Sequence, residues 1–423
     1  MRSGVSALAQ ARGLVTRHAV KQVERLMSNA GIDVWDSFAR WVPRQVGTRP
    51  DILVAMDWTG FAHDGQSTLV LSLVTGHGRA APLIWLAVWH EEIATRRNDF
   101  EDACLRRPAE TLPAGCRVTI LADRGFGDQA LFAFLAELGF GCVIRFRGNI
   151  RVTDAHGESR QAADRVGKGG RARKLRDARV TAQGRQVGAV VCVQAKGMQE
   201  PWCLAASDPE ATAAVLVNHC ARRWTIEPQF RDTKDLRFGM GLSATRIGEP
   251  MRRGRLLLLS AFAMALPTLL GAVGERLGMD RLLKSNTART RSHSLFRQGC
   301  MLHDLIPTMP EHRLAPLIEA FANAASHARE SAARLLSRNE GIVEHGSTME
   351  AAGKGVGPAS LPPASPKAGL GIRPDSFGRS SCDCGSRAVL QPESPSSPNR
   401  YPTPGSVRIS IAAGPSFWRR WPI

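Results

Sequence analysis

The chain opens with an amphipathic pattern of helical period. In VSALAQARGLVTRHAVKQVERLM, residues 5–27, apolar positions recur every three or four residues and the opposite face is basic. This predicts helix within a region spanning 1–48. It serves equally as a small DNA-binding head or as a solvated helix packed on the main body. From residue 51 the period changes. DILVAMDW, STLVLSLV and PLIWLAVW are short β-branched or apolar runs, separated by the turn-like stretches GFAHDGQ and GHGRAA. They predict three successive strands in a meander. The polar segment HEEIATRRNDFEDACLRR then predicts a helix. CRVTILADRGFGDQALFAFLAELGFGCVIRFRG follows as a strand ending at Asp123, a glycine turn, an amphipathic helix and another strand. That alternation indicates an α/β architecture with some parallel pairing.

Residues 147–206 return to short strands (ARVTAQ, QVGAVVCVQ, PWCLAASD) around the basic run RQAADRVGKGGRARKLRDAR, and read as a β-rich insertion. Residues 209–238 look helical. LLLLSAFAMALPTLLGAVG, residues 256–274, has the length of a membrane span, but it contains Pro267, Ser260 and Thr268 and stands alone. It reads as a helix buried in a large domain. After about residue 345 the chain becomes rich in Pro, Gly and Ser, with no periodicity able to bury a core; disorder is expected. The resulting organisation is a helical N-terminal region (1–48), a first core segment (49–146), the insertion (147–206), a second core segment with C-terminal helices (207–340), and a low-complexity tail (341–423).

Charge changes the picture. Against 38 Asp and Glu stand 56 Lys and Arg, a formal net charge of +18 over 423 residues. Such an excess favours a polyanionic partner, nucleic acid before anionic membrane. The nine cysteines are scattered, with no CxxC pair and no Cys/His metal spacing. Reduced thiols in a cytoplasmic protein are the simplest reading.

Three acids fall where chemistry could use them. Asp57 in LVAMDWTG is expected at the end of the first strand, and Asp123 in VTILADRG at the end of the fourth. Carboxylates presented beside a core cost stability unless they are paired or metal-bound. Glu227 adds a third acid, in CARRWTIEPQFRDTKDLRFGMG, residues 220–241. Three carboxylates suffice to hold two Mg²⁺ ions for phosphoryl transfer on a nucleic acid. Arg223, Glu227, Arg231 and Lys234 are spaced four, four and three, so on one helix they would share a face with the acid bracketed by cations. Pro228 suits a first turn, which predicts a kink or a new helix start near Thr225–Glu227 and places Glu227 at a positive helix end. A plain surface face of ion pairs would account for these charges equally well if the two aspartates were absent.

The stretch CARRWTIEPQFRDTK resembles the YREK signature of the DDE insertion-sequence transposases of the IS-four type: Tyr, two residues, Arg, three residues, Glu, six residues, Lys. Arg223, Glu227 and Lys234 keep that spacing. AMDWT, LADRGFGD and the later FGMGLS also look like that family, so the resemblance covers roughly residues 50–275. It implies a ribonuclease-H-like core with a β-rich insertion between the second Asp and the Glu. It further implies Asp57, Asp123 and Glu227 as catalytic ligands of two Mg²⁺ (or Mn²⁺) ions, with Arg223, Arg231 and Lys234 on DNA phosphates. Trp202, in EPWCLAASDPE, stands where relatives carry an aromatic that stacks on a flipped base, against the plainer reading of a core tryptophan. The implied activity is cleavage at element ends and strand transfer. The implied partners are the terminal inverted repeats and target DNA, engaged by a homodimer in a synaptic complex on the bacterial nucleoid, with no membrane role. Two features depart from the family: Cys220 holds the signature tyrosine position, and the tail beyond 345 is unlike family sequence. A ribonuclease-H-like nuclease without strand transfer, or a decayed copy that only binds DNA, are the alternatives.

Overall fold

The computed structural model describes residue 13 and residues 15–326, apart from positions 182 and 238. The expected disordered tail, and the first residues of the N-terminal region, lie outside the described residues. Two helices open the described chain, α1 (Thr16–Ser28) and α2 (Val34–Val46). Asp33 caps α2 by accepting from the Trp35 and Asp36 amides, and the apolar face of α2 buries Phe38, Trp41, Val42 and Val46 in the main core. Helix α2 is therefore built into the body that carries the sheet.

The meander follows: β1 (Asp51–Phe61), β2 (Gln66–Val74) and β3 (Ala80–Trp89). Helix α3 (Ile93–Thr111) leads to β4 (Arg117–Ala122), α4 (Gln129–Glu137) and β5 (Gly141–Phe146). Seven short strands come next: β6 (Arg151–Thr153), β7 (Ser159–Gln161), β8 (Arg173–Arg176), β9 (Arg179–Val180), β10 (Arg185–Gln186), β11 (Ala189–Val193) and β12 (Trp202–Ala206). Helices α5 (Ala213–Arg223), α6 (Ile226–Lys234), α7 (Pro250–Arg276) and α8 (Leu295–Leu305) complete the core.

An eight-stranded mixed sheet organises all of this, in the order β3-β2-β1-β4-β5-β12-β11-β8. The meander pairs antiparallel, whereas β1–β4 and β4–β5 pair parallel. The insertion is not a separate body. Its strands β8, β11 and β12 extend the main sheet beyond β5, and only β6, β7, β9 and β10 form a second, four-stranded sheet. Every position of β2 is buried, and most of its polar residues, Thr68 Oγ1 excepted, are answered from neighbouring elements. Ser72 Oγ donates to Gln229 Oε1 (3.1 Å) on α6, and Gln66 Nε2 donates to the Ile247 carbonyl (2.8 Å). Most buried polar groups are partnered in this way.

Helix α7 is long and apolar enough to cross a membrane by length and composition, with a window of mean hydropathy 2.2. It is partly buried here: 39 % of that window is covered, while Leu259, Phe262 and Leu266 are exposed. Arg253 near its start is fully buried, and Trp85 Nε1 donates to the Gly254 carbonyl (3.0 Å). At Gly271 and Gly299 the backbones of α7 and α8 meet so closely that a Cβ at Gly271 would stand 1.9 Å from the Leu295 carbonyl oxygen. Glycine is required there for the approach itself.

Candidate active site

Strand β1 runs four residues past Asp57, so this aspartate lies inside a strand and not at its end. The reason is the hairpin register. β1 stays paired with β2 through Asp57↔Val70 to Phe61↔Gln66, while its parallel ladder with β4 stops at Ala55↔Leu121. Asp57 is thus the second residue beyond the β4 ladder, on the side where that neighbour has ended. Asp123 is the first residue after β4 and caps the 3₁₀ turn Arg124–Phe126, its Oδ1 accepting from the Gly125 amide (2.8 Å). The two aspartates come together because adjacent parallel strands deliver them to one end of the sheet.

The third acid arrives from the helical side. Helix α5 ends at Arg223, the chain turns at Trp224 and Thr225, and α6 begins with Glu227 and Pro228 in its first turn. Proline at this point makes a fresh start easier than a continuous helix. The four charged residues therefore do not share one helix. Glu227, Arg231 and Lys234 lie on α6 and line an open cleft of about 460 Å³ together with Asp57 and Asp235. Arg223 points inward from α5. It is 6 % exposed and its Nη1 donates to Asp57 Oδ2 at 3.1 Å.

Asp57 lies within electrostatic reach of the other two acids. Burial pushes the Asp57 carboxyl up to about 6; Arg223 opposes that rise, and the charges of Asp123 and Glu227 add to it. Crowded carboxylates disfavour one another's charged forms in this way. Among the described residues no three His, Cys, Asp or Glu side chains stand close enough together to hold a metal ion. The cation beside Asp57 is the guanidinium of Arg223. Lys234 Nζ donates to the Gly60 carbonyl (2.6 Å) and stands 4.9 Å from the Phe61 ring centroid; burial lowers its pKa. Arg231 is exposed at the rim. Asp232 is turned away and holds Arg79 at 2.5 Å, which ties α6 to the β2–β3 hairpin.

Trp202 is not available to a base. It is 7 % exposed as the first residue of β12, and the Arg145 guanidinium lies 5.7 Å from its ring centroid. The plainer reading, a core tryptophan, is the one the geometry supports, because β12 is an interior strand of the main sheet. Cys220 is equally buried, at 4 %, and burial pushes its thiol up to about 11. Several residues beside the site escaped the sequence reading. Trp224 is 47 % exposed, with the Arg223 guanidinium 5.1 Å from its ring. Buried Arg253 pairs with Asp64, donates to Gln66 Oε1 (2.6 Å) and lies 3.9 Å from the Phe61 ring beneath Lys234. An acid on the buried face of α3, Glu101, reaches Trp58 and Arg97. Its only trace in the sequence was its place between Phe100 and Cys104 on an otherwise apolar helix face.

Residues 96–264 match the family model described as Transposase DDE domain. The matched span contains Asp123 and Glu227 and begins after Asp57. It supports a DDE transposase, for which DNA is the partner, and the large mixed sheet fits the fold of that class. No curated protein matches the chain.

Proposed function

We propose that the chain is a DNA transposase of the insertion-sequence type bearing the YREK pattern, with a ribonuclease-H-like core, cutting element ends and joining them to target DNA. One observation carries this reading: Asp57 feels the charges of Asp123 and Glu227, both far from it in sequence, and lines with Glu227, Arg231 and Lys234 one open cleft. Three carboxylate oxygens are the donor type that Mg²⁺ or Mn²⁺ prefers. The donor types fit such an ion, although in this structure the three side chains do not stand close enough together to hold one. Asp57, Asp123 and Glu227 would hold it, with Arg223 giving up Asp57. When bound, such ions supply charge stabilisation at the attacking and leaving oxygens of a phosphodiester.

The chain's own residues do the rest of the work. Arg231 at the rim presents a planar fork suited to phosphate, and Lys234 keeps two N–H groups beyond the one given to Gly60. Glu227 sits in the first turn of α6, at the positive end of the helix. Arg223, once released from Asp57, is a third phosphate ligand on the same side.

The experiment is strand transfer with purified protein, Mn²⁺ or Mg²⁺, a plasmid target and labelled pre-cut DNA carrying the gene's flanking ends. Joined product that vanishes with Glu227→Ala supports the proposal. Metal-dependent cutting without joining indicates a nuclease. DNA binding with neither reaction indicates a decayed copy, a reading favoured by buried Cys220 at the tyrosine position.

A further inference from the structure

The two aspartates are linked behind the cleft by a chain of contacts that the chemistry above does not use. Asp57 Oδ1 accepts from the backbone amide of Trp58 (2.8 Å), and the Trp58 indole Nε1 donates to Glu101 Oε1 (2.9 Å). The same oxygen accepts from Arg97 Nε (2.7 Å). The Arg97 guanidinium then lies 5.1 Å from the Phe126 ring centroid, against the turn whose Gly125 amide holds Asp123. Arg97 also lies beside Gly125 itself, since a Cβ there would be in ordinary contact with Nη2 at 3.6 Å. Glu101 is 5 % exposed, so its carboxylate has little water to turn to. A buried carboxylate that accepts from two donors has a fixed orientation, and it fixes theirs. The helix is shaped for this: Arg96, one residue earlier, leaves helical geometry (φ −124°, ψ 17°), which separates the Arg97–Glu101 segment from the preceding turn.

We infer that Glu101, acting through Trp58 on one side and Arg97 on the other, is the positioning residue that sets the separation of Asp57 and Asp123. The inference rests on the reading of those aspartates as cation ligands. Groups that orient metal-binding side chains typically change metal affinity by roughly 10–100-fold when removed.

The test is Mn²⁺ binding alone, by calorimetry, on the full chain, beside DNA affinity by anisotropy and thermal stability. Glu101→Ala should weaken Mn²⁺ binding by about 10–100-fold and leave DNA affinity measured in EDTA unchanged. Glu101→Gln, which still accepts from the indole, should recover part of the loss. Leu105→Ala, fully buried on the same helix but remote from both aspartates, supplies a control for destabilisation alone. Wild-type Mn²⁺ affinity in Glu101→Ala, with Asp57→Ala binding none, overturns the bridge and leaves the carboxylate site standing. An equal loss in Leu105→Ala also overturns it, because general loosening would then account for the effect. If wild-type protein binds no Mn²⁺, or Asp57→Ala binds it normally, the site reading fails and the bridge fails with it.

Discussion

Asp57 should make the metal-free protein less stable as the pH rises, by an amount the structure specifies. Its carboxyl is pushed up to about 6 against a reference of 3.8 because it is buried, with the charges of Asp123 and Glu227 adding to the rise and Arg223 and the Trp58 amide opposing it. A folded-state pKa raised above the unfolded value means the folded protein binds the extra proton. The associated stability is complete below about pH 3.8 and disappears as the pH passes through about 6. A shift of about 2 units is worth about 3 kcal/mol in total. Between about pH 5 and about pH 8 the portion lost is on the order of 1 kcal/mol, since near pH 5 the folded state still holds most of its proton. The assay is urea unfolding of wild type and Asp57→Asn in EDTA across that range. Asparagine removes the titration and still accepts from Arg223, so any constant offset cancels in the pH dependence. Wild type should lose on the order of 1 kcal/mol more than the variant over this interval. Parallel profiles would refute the crowding of Asp57 by its neighbours, and with it the electrostatic link among the three acids.

Other consequences are simpler. Arg223→Ala removes the opposing charge 3.1 Å from Asp57, so the midpoint of Mn²⁺ binding against pH should rise by about 1–3 units; an unchanged midpoint would mean the ion pair has no hold on the site. Lys234→Ala should reduce the slope of log Kd against log salt for duplex DNA by about 0.9, the value of one phosphate contact, and an unaltered slope would remove Lys234 from the interface. Cys220→Tyr places a phenol where the side chain is 4 % exposed, and overpacking should lower stability by roughly 1–3 kcal/mol; a variant that unfolds with wild type would show that the ring escapes toward the cleft.

How much of this was legible depends on the range of the interaction. The meander was readable because β1, β2 and β3 are apolar runs between turn residues, and the restart at Thr225–Glu227 was readable because Pro228 constrains its own neighbours. The merging of β11 and β12 into the main sheet carried a signal that was passed over. AVVCV and WCLAA are apolar at every position, as interior strands covered on both faces must be, and an isolated two-sided insertion would alternate. That same fact buries Trp202. Asp57 was misplaced because its position depends on how long β2 keeps β1 company, which the local run LVAMDW does not encode. The contacts of Glu101 with Trp58 and of Arg223 with Asp57 span 43 and 166 residues, and pattern reading along the chain is blind to such pairs.

The charges at the cleft also predict that DNA and cations help each other to bind. Asp57, Asp123 and Glu227 contribute three negative charges and Arg223, Arg231 and Lys234 three positive ones, with Asp235 a further acid in the cleft lining, so opposite charges nearly balance with neither ligand present. Cations entering alone would face Arg223 already seated on Asp57 and two further positive groups. A phosphate backbone entering alone would face three carboxylates. Together, each ligand neutralises what repels the other, and Arg223 is free to turn from Asp57 to phosphate. Reciprocity then requires that cations raise DNA affinity by the factor by which DNA raises theirs, typically about 5–150-fold for a coupling of about 1–3 kcal/mol. Ca²⁺, which shares the preference for oxygen donors, suits the measurement: duplex affinity at fixed ionic strength with Ca²⁺ and with EDTA. A several-fold tightening in wild type that is absent in Asp57→Asn would establish the coupling at this site. Equal affinity under both conditions would mean that the acids and bases of the cleft serve separate ends, and that the Arg223–Asp57 contact is a fixed part of the fold.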